Sequence, residues 1–166
     1  MAEFAAHNVE YLARQKERLK PFFDTVEKNP LTDDQMDGCI CMDDAVQIVA
    51  AAGSGKTSTM VAKVGYALQE SLVRPEQILV LAFNRAVAEE LQSRIKDRLA
   101  GFDGVERVTV KTFNAFGLSV IAKTTGRKPS LAEWAEPGRD GPMIVEIIDD
   151  LRARDPKFRN EWDLFR

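Results

Sequence analysis

The stretch "AAAGSGKTST", residues 50–59, constrains this chain more than any other feature. It follows the apolar run "AVQIV" and precedes "MVAKVGYAL", so small residues and glycines stand where a strand gives way to a helix. Counted from Ala50, it fits [AG]-x-x-x-x-G-K-[ST], with Gly55, Lys56 and Thr57 in the fixed places. Glycine at such a turn admits backbone conformations closed to other residues and puts no side chain in the way, so the amides from Gly53 to Thr57 can face one anion. The helix starting near Lys56 points its positive dipole end at the same place. The spacing predicts a phosphate cradle in which Lys56 reaches the β- and γ-phosphates of a nucleoside triphosphate and the Thr57 hydroxyl ligates Mg2+. "GSGKTS" also contains G-x-G, but Ser58 takes the place of the third glycine of a dinucleotide fingerprint, which has no use for a lysine at 56.

Around this turn the hydrophobic pattern alternates. "AVQIVA", "QILVLAF" and "ERVTVKTF" read as short strands, and "KTSTMVAKVGYALQE", "RAVAEELQSRIKDRL" and "NAFGLSVIAK" as helices. Such alternation implies crossover connections over a buried parallel sheet, an α/β nucleotide-binding layout. Ahead of it, residues 4–28 read as helical, with Pro21 bending or splitting the segment. Thr32 then caps a helix whose first turn carries Asp33 and Asp34. After Lys123, "TTGRKPSLAEWAEPGRDGP" marks an exit from the sheet, and "MIVEIIDDLRA" and "PKFRNEWDLFR" follow as two helical pieces.

Charge excludes one class of partner-seeking surface. Lys plus Arg number 23 against 26 Asp plus Glu, so no global basic field covers the chain and any anion site is local. Cys39 and Cys41 form a lone C-x-C with the single histidine, His7, far away, which reads as free thiols rather than zinc ligands. No stretch approaches the roughly 20 apolar residues of a membrane span, and the N-terminus lacks a basic-then-apolar leader. The expectation is a cytoplasmic protein with no membrane attachment.

Three further motifs surround the cradle. "PLTDDQ" puts Gln35 about twenty residues ahead of the phosphate loop, and "ILVLAFNRAVAEELQSRI" and "VTVKTFNAF" end the next two strands. Together with "AAAGSGKTST" they resemble the Q motif and motifs I, Ia and Ib of superfamily 1 helicases of the UvrD/Rep type, and "FFDTVEKNPLTDDQ" resembles the helicase IV group in particular. The resemblance covers roughly residues 20–125. It implies a P-loop NTPase domain of RecA-like type, a parallel sheet flanked by helices and incomplete here, preceded by a helical addition and followed by a helical segment. The implied divisions are a helical extension at 1–29, a partial first RecA-like ATP-binding domain at 30–125, and the start of an inserted helical subdomain at 126–166.

The resemblance also implies roles. Gln35 contacts adenine, which selects ATP over GTP, and its amide has the donor and acceptor for the N6/N7 edge. Ala52, Gly53, Ser54, Gly55, Lys56, Thr57 and Ser58 hold ATP and Mg2+, Lys56 and Thr57 acting on the phosphates and Thr57 on the metal. Phe83, Asn84 and Arg85 of motif Ia and Thr112, Phe113 and Asn114 of motif Ib contact single-stranded DNA or single/double-strand junctions. Arg85 neutralises a phosphate, while Phe83 either stacks a base or closes the core. Three positions depart from the family pattern: Asn114 stands where relatives carry histidine, Ala51 where they carry glycine, and Ser58 where many carry arginine.

Arg94, Lys96 and Arg98 alternate with Glu89, Glu90 and Asp97, which reads as a solvated helix face with Glu90 pairing to Arg94 at i,i+4. Lys111, Lys123, Arg127 and Lys128 are positioned better for DNA. Phosphoryl transfer to water also needs a magnesium carboxylate and a water-orienting group, which the family draws from a D-E-x-Q motif not found here. Its nearest imitation, "MIVEIIDDL" with Asp149 and Asp150, has Ile144, Ile147, Ile148 and Leu151 at helical spacing, so it reads as a helix. The chain thus reads as the N-terminal part of an ATP-dependent DNA helicase or translocase, with little turnover of its own. The rival readings are a small P-loop kinase or phosphotransferase using Asp149 or Asp150, and a non-catalytic nucleotide-binding module.

Overall fold

The computed structural model describes residues 2–51, 53–127, 129 and 140–165, with the side chains of 2–6 left aside. Its chain separates into two compact units, Met1–Gly117 and Leu118–Arg166.

The first unit begins with α1 (Ala2–Arg18) and α2 (Lys20–Thr25). Leu19 breaks the helix between them, and Pro21 sits in the first turn of α2, where its missing N–H costs nothing. Helix α3 (Asp33–Ile40) opens on a capping box: Thr32 accepts from the Gln35 amide while the Gln35 side chain accepts from the Thr32 amide. Next come α4 (Lys56–Gln69), strand β1 (Leu79–Ala82), α5 (Arg85–Arg98), strand β2 (Thr109–Thr112) and α6 (Phe113–Thr125). Strands β1 and β2 pair in parallel, with Leu79 opposite Thr109 and Ala82 opposite Thr112. Parallel neighbours need a crossover, and α5 supplies it. The result is a mixed α/β unit with a two-stranded parallel sheet among the described residues.

Residues 45–50 correct the expectation of a strand before the phosphate loop. Among the described residues no strand pairs with them, and Val49 is 87% exposed. An apolar run becomes a strand only where a neighbour completes its ladder, and among the described residues no strand runs alongside this one. Ile48 rests instead against α3, where its Cδ1 would lie 3.2 Å from a β-carbon placed on Gly38.

The core of this unit centres on α4, which packs between α3 and α5. Phe23, Cys39, Val61, Tyr66, Ile95 and Leu99 are essentially sealed from solvent. Phe23 stacks on Tyr66 at a ring separation of 6.4 Å, and Phe22 meets Phe102 edge-on at 6.2 Å. Phe22 and Leu99 also close over Gly65, where a β-carbon would stand 2.8 Å from each. Thus α2 supplies core rather than decoration, and it fixes the segment that runs on to Gln35.

The second unit carries the rest of α6 together with α7 (Asp140–Arg154) and α8 (Pro156–Leu164). Asp155 caps α8, accepting from the amides of Lys157 and Phe158, and Pro156 starts it. Arg152 pairs with Asp163 at 2.9 Å, and Phe158 stacks on Trp162 at 5.9 Å. Asp149 and Asp150 lie on helical α7 and face Arg152 and Arg154, as the apolar spacing predicts. Among the described residues, no helix is long and apolar enough to cross a membrane.

Candidate functional site

The turn ahead of α4 has the conformation that its glycines predict. Gly53 and Gly55 both take left-handed backbone angles, with φ of 77° and 88°. Gly55 forms the N-cap of α4, and no side chain caps that end. The first backbone bond of the helix runs from the Thr59 amide to the Gly55 carbonyl, 2.9 Å. The amides of Lys56, Thr57 and Ser58 precede it and have no carbonyl one turn back to donate to. A cluster of N–H groups at the positive end of a fourteen-residue helix is therefore turned outward.

Lys56 leans back over this loop. Its Nζ donates to the carbonyl oxygens of Ala50 at 2.9 Å and Ala51 at 2.6 Å. These are neutral, exposed partners that an anion can displace. Ser54 steadies the turn from inside, its Oγ donating to the Ala51 carbonyl at 2.8 Å. The Thr57 side chain lies half-buried beside Lys56. Ala52 lies outside the described residues.

Gln35 braces the loop from α3. Its Oε1 accepts from the Thr32 amide and its Nε2 donates to the Ser54 carbonyl, each at 2.9 Å. A β-carbon on Gly55 would press into Gln35 Nε2, so the glycine serves both its backbone angle and this approach. One N–H and one lone pair of the amide stay uncommitted, the two features that a bidentate contact to an adenine edge would use.

Beneath α4, the Cys39 thiol donates to the Thr59 carbonyl at 3.4 Å. Burial pushes this thiol up from 9.0 to about 12, with the nearby Lys63 ammonium pulling weakly the other way. Lys63 itself donates to the carbonyls of Gly38 and Cys41, closing the C-terminal end of α3. Cys39 and Cys41 are free thiols, and among the described residues no group of three or more His, Cys, Asp or Glu gathers as a metal site.

A second cluster lies at the carboxyl ends of β1 and β2. Because Ala82 stands opposite Thr112, Phe83-Asn84 and Phe113-Asn114 leave adjacent strands at the same level. Phe83 is 88% exposed and Phe113 60%, so Phe83 does not close the core. Asn84 caps α5, accepting from the Val87 amide at 2.9 Å, and Thr112 does the same for the start of α6, accepting from the Ala115 amide at 3.1 Å. Arg85 pairs with Glu89 at 2.9 Å, both exposed. Asn114 is exposed. Lys111 lines an open groove of about 660 Å³ between α5 and β2 with Arg85 and Lys96. Lys123 and Arg127 belong to the second unit, and Lys128 lies outside the described residues.

Arg94 departs from the solvated-face expectation. Glu90 stands 3.9 Å from it, but its main partner is the buried Glu27, to which Nε donates at 3.0 Å and Nη2 at 2.8 Å. The same Nη2 donates to Ser58 Oγ at 2.8 Å. No local pattern carries this contact, because Glu27 and Arg94 are 67 residues apart. Glu27 follows α2 among Asp24, Thr25 and Lys28, where an acidic side chain looks like an ordinary surface residue.

Comparison with known proteins agrees with this arrangement. Residues 31–157 match the UvrD/REP helicase N-terminal domain. DNA helicase IV of Escherichia coli K12 is 33% identical over 156 residues, covering 94% of this chain and 20% of that protein. The ATP-dependent DNA helicase PcrA of Staphylococcus aureus Mu50 is 27% identical over 99 residues, 60% of this chain and 13% of PcrA. The ATP-dependent DNA helicase Rep of Buchnera aphidicola is 30% identical over 76 residues, 46% of this chain and 12% of Rep. The chain spans about a fifth or less of the length of these relatives. The family match takes in the capping box, the phosphate turn and both strand ends, so the chain belongs to the UvrD/REP helicase family and corresponds to its N-terminal domain.

Proposed function

We propose that this chain is the N-terminal ATP-binding portion of an ATP-dependent DNA helicase or translocase, built on a P-loop RecA-like domain at 30–125 with a helical extension at 1–29 and the start of a helical subdomain at 126–166. The observation that carries the reading is the turn at 53–58: two left-handed glycines followed by an uncapped helix end and a lysine resting on exchangeable carbonyls. Such an end suits a polyphosphate, because orphan amides and a helix dipole favour negative charge without needing a buried cation. The names of the related helicases support the same assignment.

In this reading the amides from Gly53 to Ser58, with Ala52 leading into the turn, donate to phosphate oxygens. The Lys56 ammonium exchanges its two loop carbonyls for the β- and γ-phosphates. Gln35 keeps its hold on Ser54 and uses its remaining donor and acceptor on adenine. The Thr57 hydroxyl is a ligand to Mg2+ that arrives on the nucleotide. When bound, Mg2+ neutralises charge across the phosphates. Phe83, Asn84, Arg85, Thr112, Phe113 and Asn114 take single-stranded DNA or a junction, the phenyl rings under bases and Arg85 against a phosphate. Asp149 and Asp150, ion-paired on α7, have no part in it.

The deciding experiment is Lys56→Ala in the full-length protein, titrated with a fluorescent ATP analogue and Mg2+. Binding is expected to be lost while the thermal unfolding midpoint holds, because Lys56 makes only exposed contacts. An unchanged titration would overturn the cradle.

A further inference from the structure

Three side chains from three separate elements converge beside the phosphate turn. Glu27, in the bend after α2, keeps only 3% of its side chain exposed and accepts three hydrogen bonds from Nε and Nη2 of the Arg94 guanidinium on α5. Arg98 adds a cation 3.8 Å from the same carboxylate. Arg94 Nη2, already bonded to Glu27, reaches Ser58 Oγ in the first turn of α4 at 2.8 Å. Burying such a pair recovers little net stability, because desolvating both ions offsets most of their attraction. What it does supply is geometry: a planar guanidinium with two points fixed on a carboxylate has little freedom left for the third.

We propose that Arg94, locked by Glu27, is a positioning residue that holds the first turn of α4 in the register the phosphate cradle requires, by gripping Ser58. This rests on the reading of residues 53–58 as that cradle. The stretch from the bend after α2 to the first turn of α3 reaches the turn twice. Eight residues after Glu27, Gln35 holds the Ser54 carbonyl on the loop side; through Arg94, Glu27 holds Ser58 on the helix side. Gly55, Lys56 and Thr57 lie between the two grips. First turns of helices fray unless something outside the helix ties them, and no side chain caps α4 from within. Arg94 is not itself a phosphate ligand, because its charge is already neutralised by Glu27. Its effect is on the placement of amides that others use, and so on nucleotide affinity rather than on the core.

The test compares Ser58→Ala, Arg94→Lys, their combination and Lys56→Ala in the full-length protein, reading ATP-analogue affinity with Mg2+ across a salt series and the thermal midpoint. Ser58→Ala leaves the Glu27–Arg94 pair whole, so it decides the question even if Arg94→Lys folds poorly. The expected result is affinity weakened by about tenfold in Ser58→Ala, the scale of one hydrogen bond to a charged group, with the midpoint and the salt dependence unmoved. Arg94→Lys should weaken binding similarly, since an ammonium cannot hold three acceptors in one plane, and the double variant should bind no worse than the weaker single one. Wild-type affinity in Ser58→Ala, or additive losses in the double variant, would overturn the proposal while loss of binding in Lys56→Ala leaves the cradle standing. Normal binding by Lys56→Ala would overturn both.

Discussion

Gln35 and Ser54 are joined by a 2.9 Å hydrogen bond from a side-chain amide to a main-chain carbonyl, and the same amide closes the capping box of α3 with Thr32. One side chain therefore ties the start of a helix to the proposed phosphate turn. Gln35→Glu separates these two duties. A carboxylate oxygen still accepts from the Thr32 amide, but its partner has no hydrogen to give Ser54 and faces a carbonyl oxygen instead. We expect helix α3 to hold and ATP-analogue affinity to fall by tenfold or more, with loss of preference for adenine over guanine nucleotides. Gln35→Ala should additionally lower unfolding free energy by about 1 kcal/mol, the usual worth of a cap. Equal ATP and GTP affinities in the unaltered protein would contradict the adenine-reading role.

The two glycines of the turn should respond unequally to alanine. Both have positive φ, so each substitution pays the left-handed backbone penalty of about 1–2 kcal/mol. At Gly53 a β-carbon meets nothing within 4 Å, whereas at Gly55 it strikes the Gln35 amide. Gly55→Ala should therefore destabilise more than Gly53→Ala and release the Ser54 contact as well. Denaturant titration of the two variants checks the order, and equal losses would mean that Gln35 yields freely.

What was legible in the sequence is what short separations encode. Thr32 and Gln35 are three residues apart and form the capping box, and Gly53 and Gly55, two residues apart, both have left-handed backbone angles. The apolar run 45–50 has the composition of a strand, but a ladder partner is a distant matter, and among the described residues none is there. Arg94 shows the same limit: Glu90, one turn away, was the visible partner, while the closer contact comes from Glu27 across 67 residues. Phe83 is ambiguous in the sequence because alternation stops where β1 ends, and only the fold decides which way the next ring faces.

Cys39 makes stability fall in alkali. Its thiol is raised from 9.0 to about 12 by burial, so between those values the unfolded chain has given up a proton that the folded chain retains. The contribution is fully present below about pH 9 and is lost as pH rises towards 12. Cys39→Ser, which keeps a donor for the Thr59 carbonyl but does not titrate there, should flatten that decline between pH 9 and 11 in denaturant melts. Alkylation at pH 8 should mark Cys41, which is partly exposed, and reach Cys39 only on unfolding. Equal labelling of both thiols in the folded protein would contradict the burial.

Phe83 and Phe113 offer the sharpest test of the proposed DNA surface. Two exposed phenyl rings at the same level of paired strands have no packing reason to be there, and their removal should change unfolding free energy by no more than about 0.5 kcal/mol. If they carry bases, Phe83→Ala and Phe113→Ala should each cost about 1–3 kcal/mol in binding a labelled oligo(dT), about 5- to 150-fold in affinity. Because no charge is removed, the slope of log affinity against log salt should stay constant. Arg85→Ala should do the opposite, lowering that slope by about 1 through loss of one phosphate contact. Fluorescence anisotropy over a salt series with the full-length protein distinguishes the two behaviours. Wild-type affinity in both phenylalanine variants would place the single strand elsewhere on the molecule.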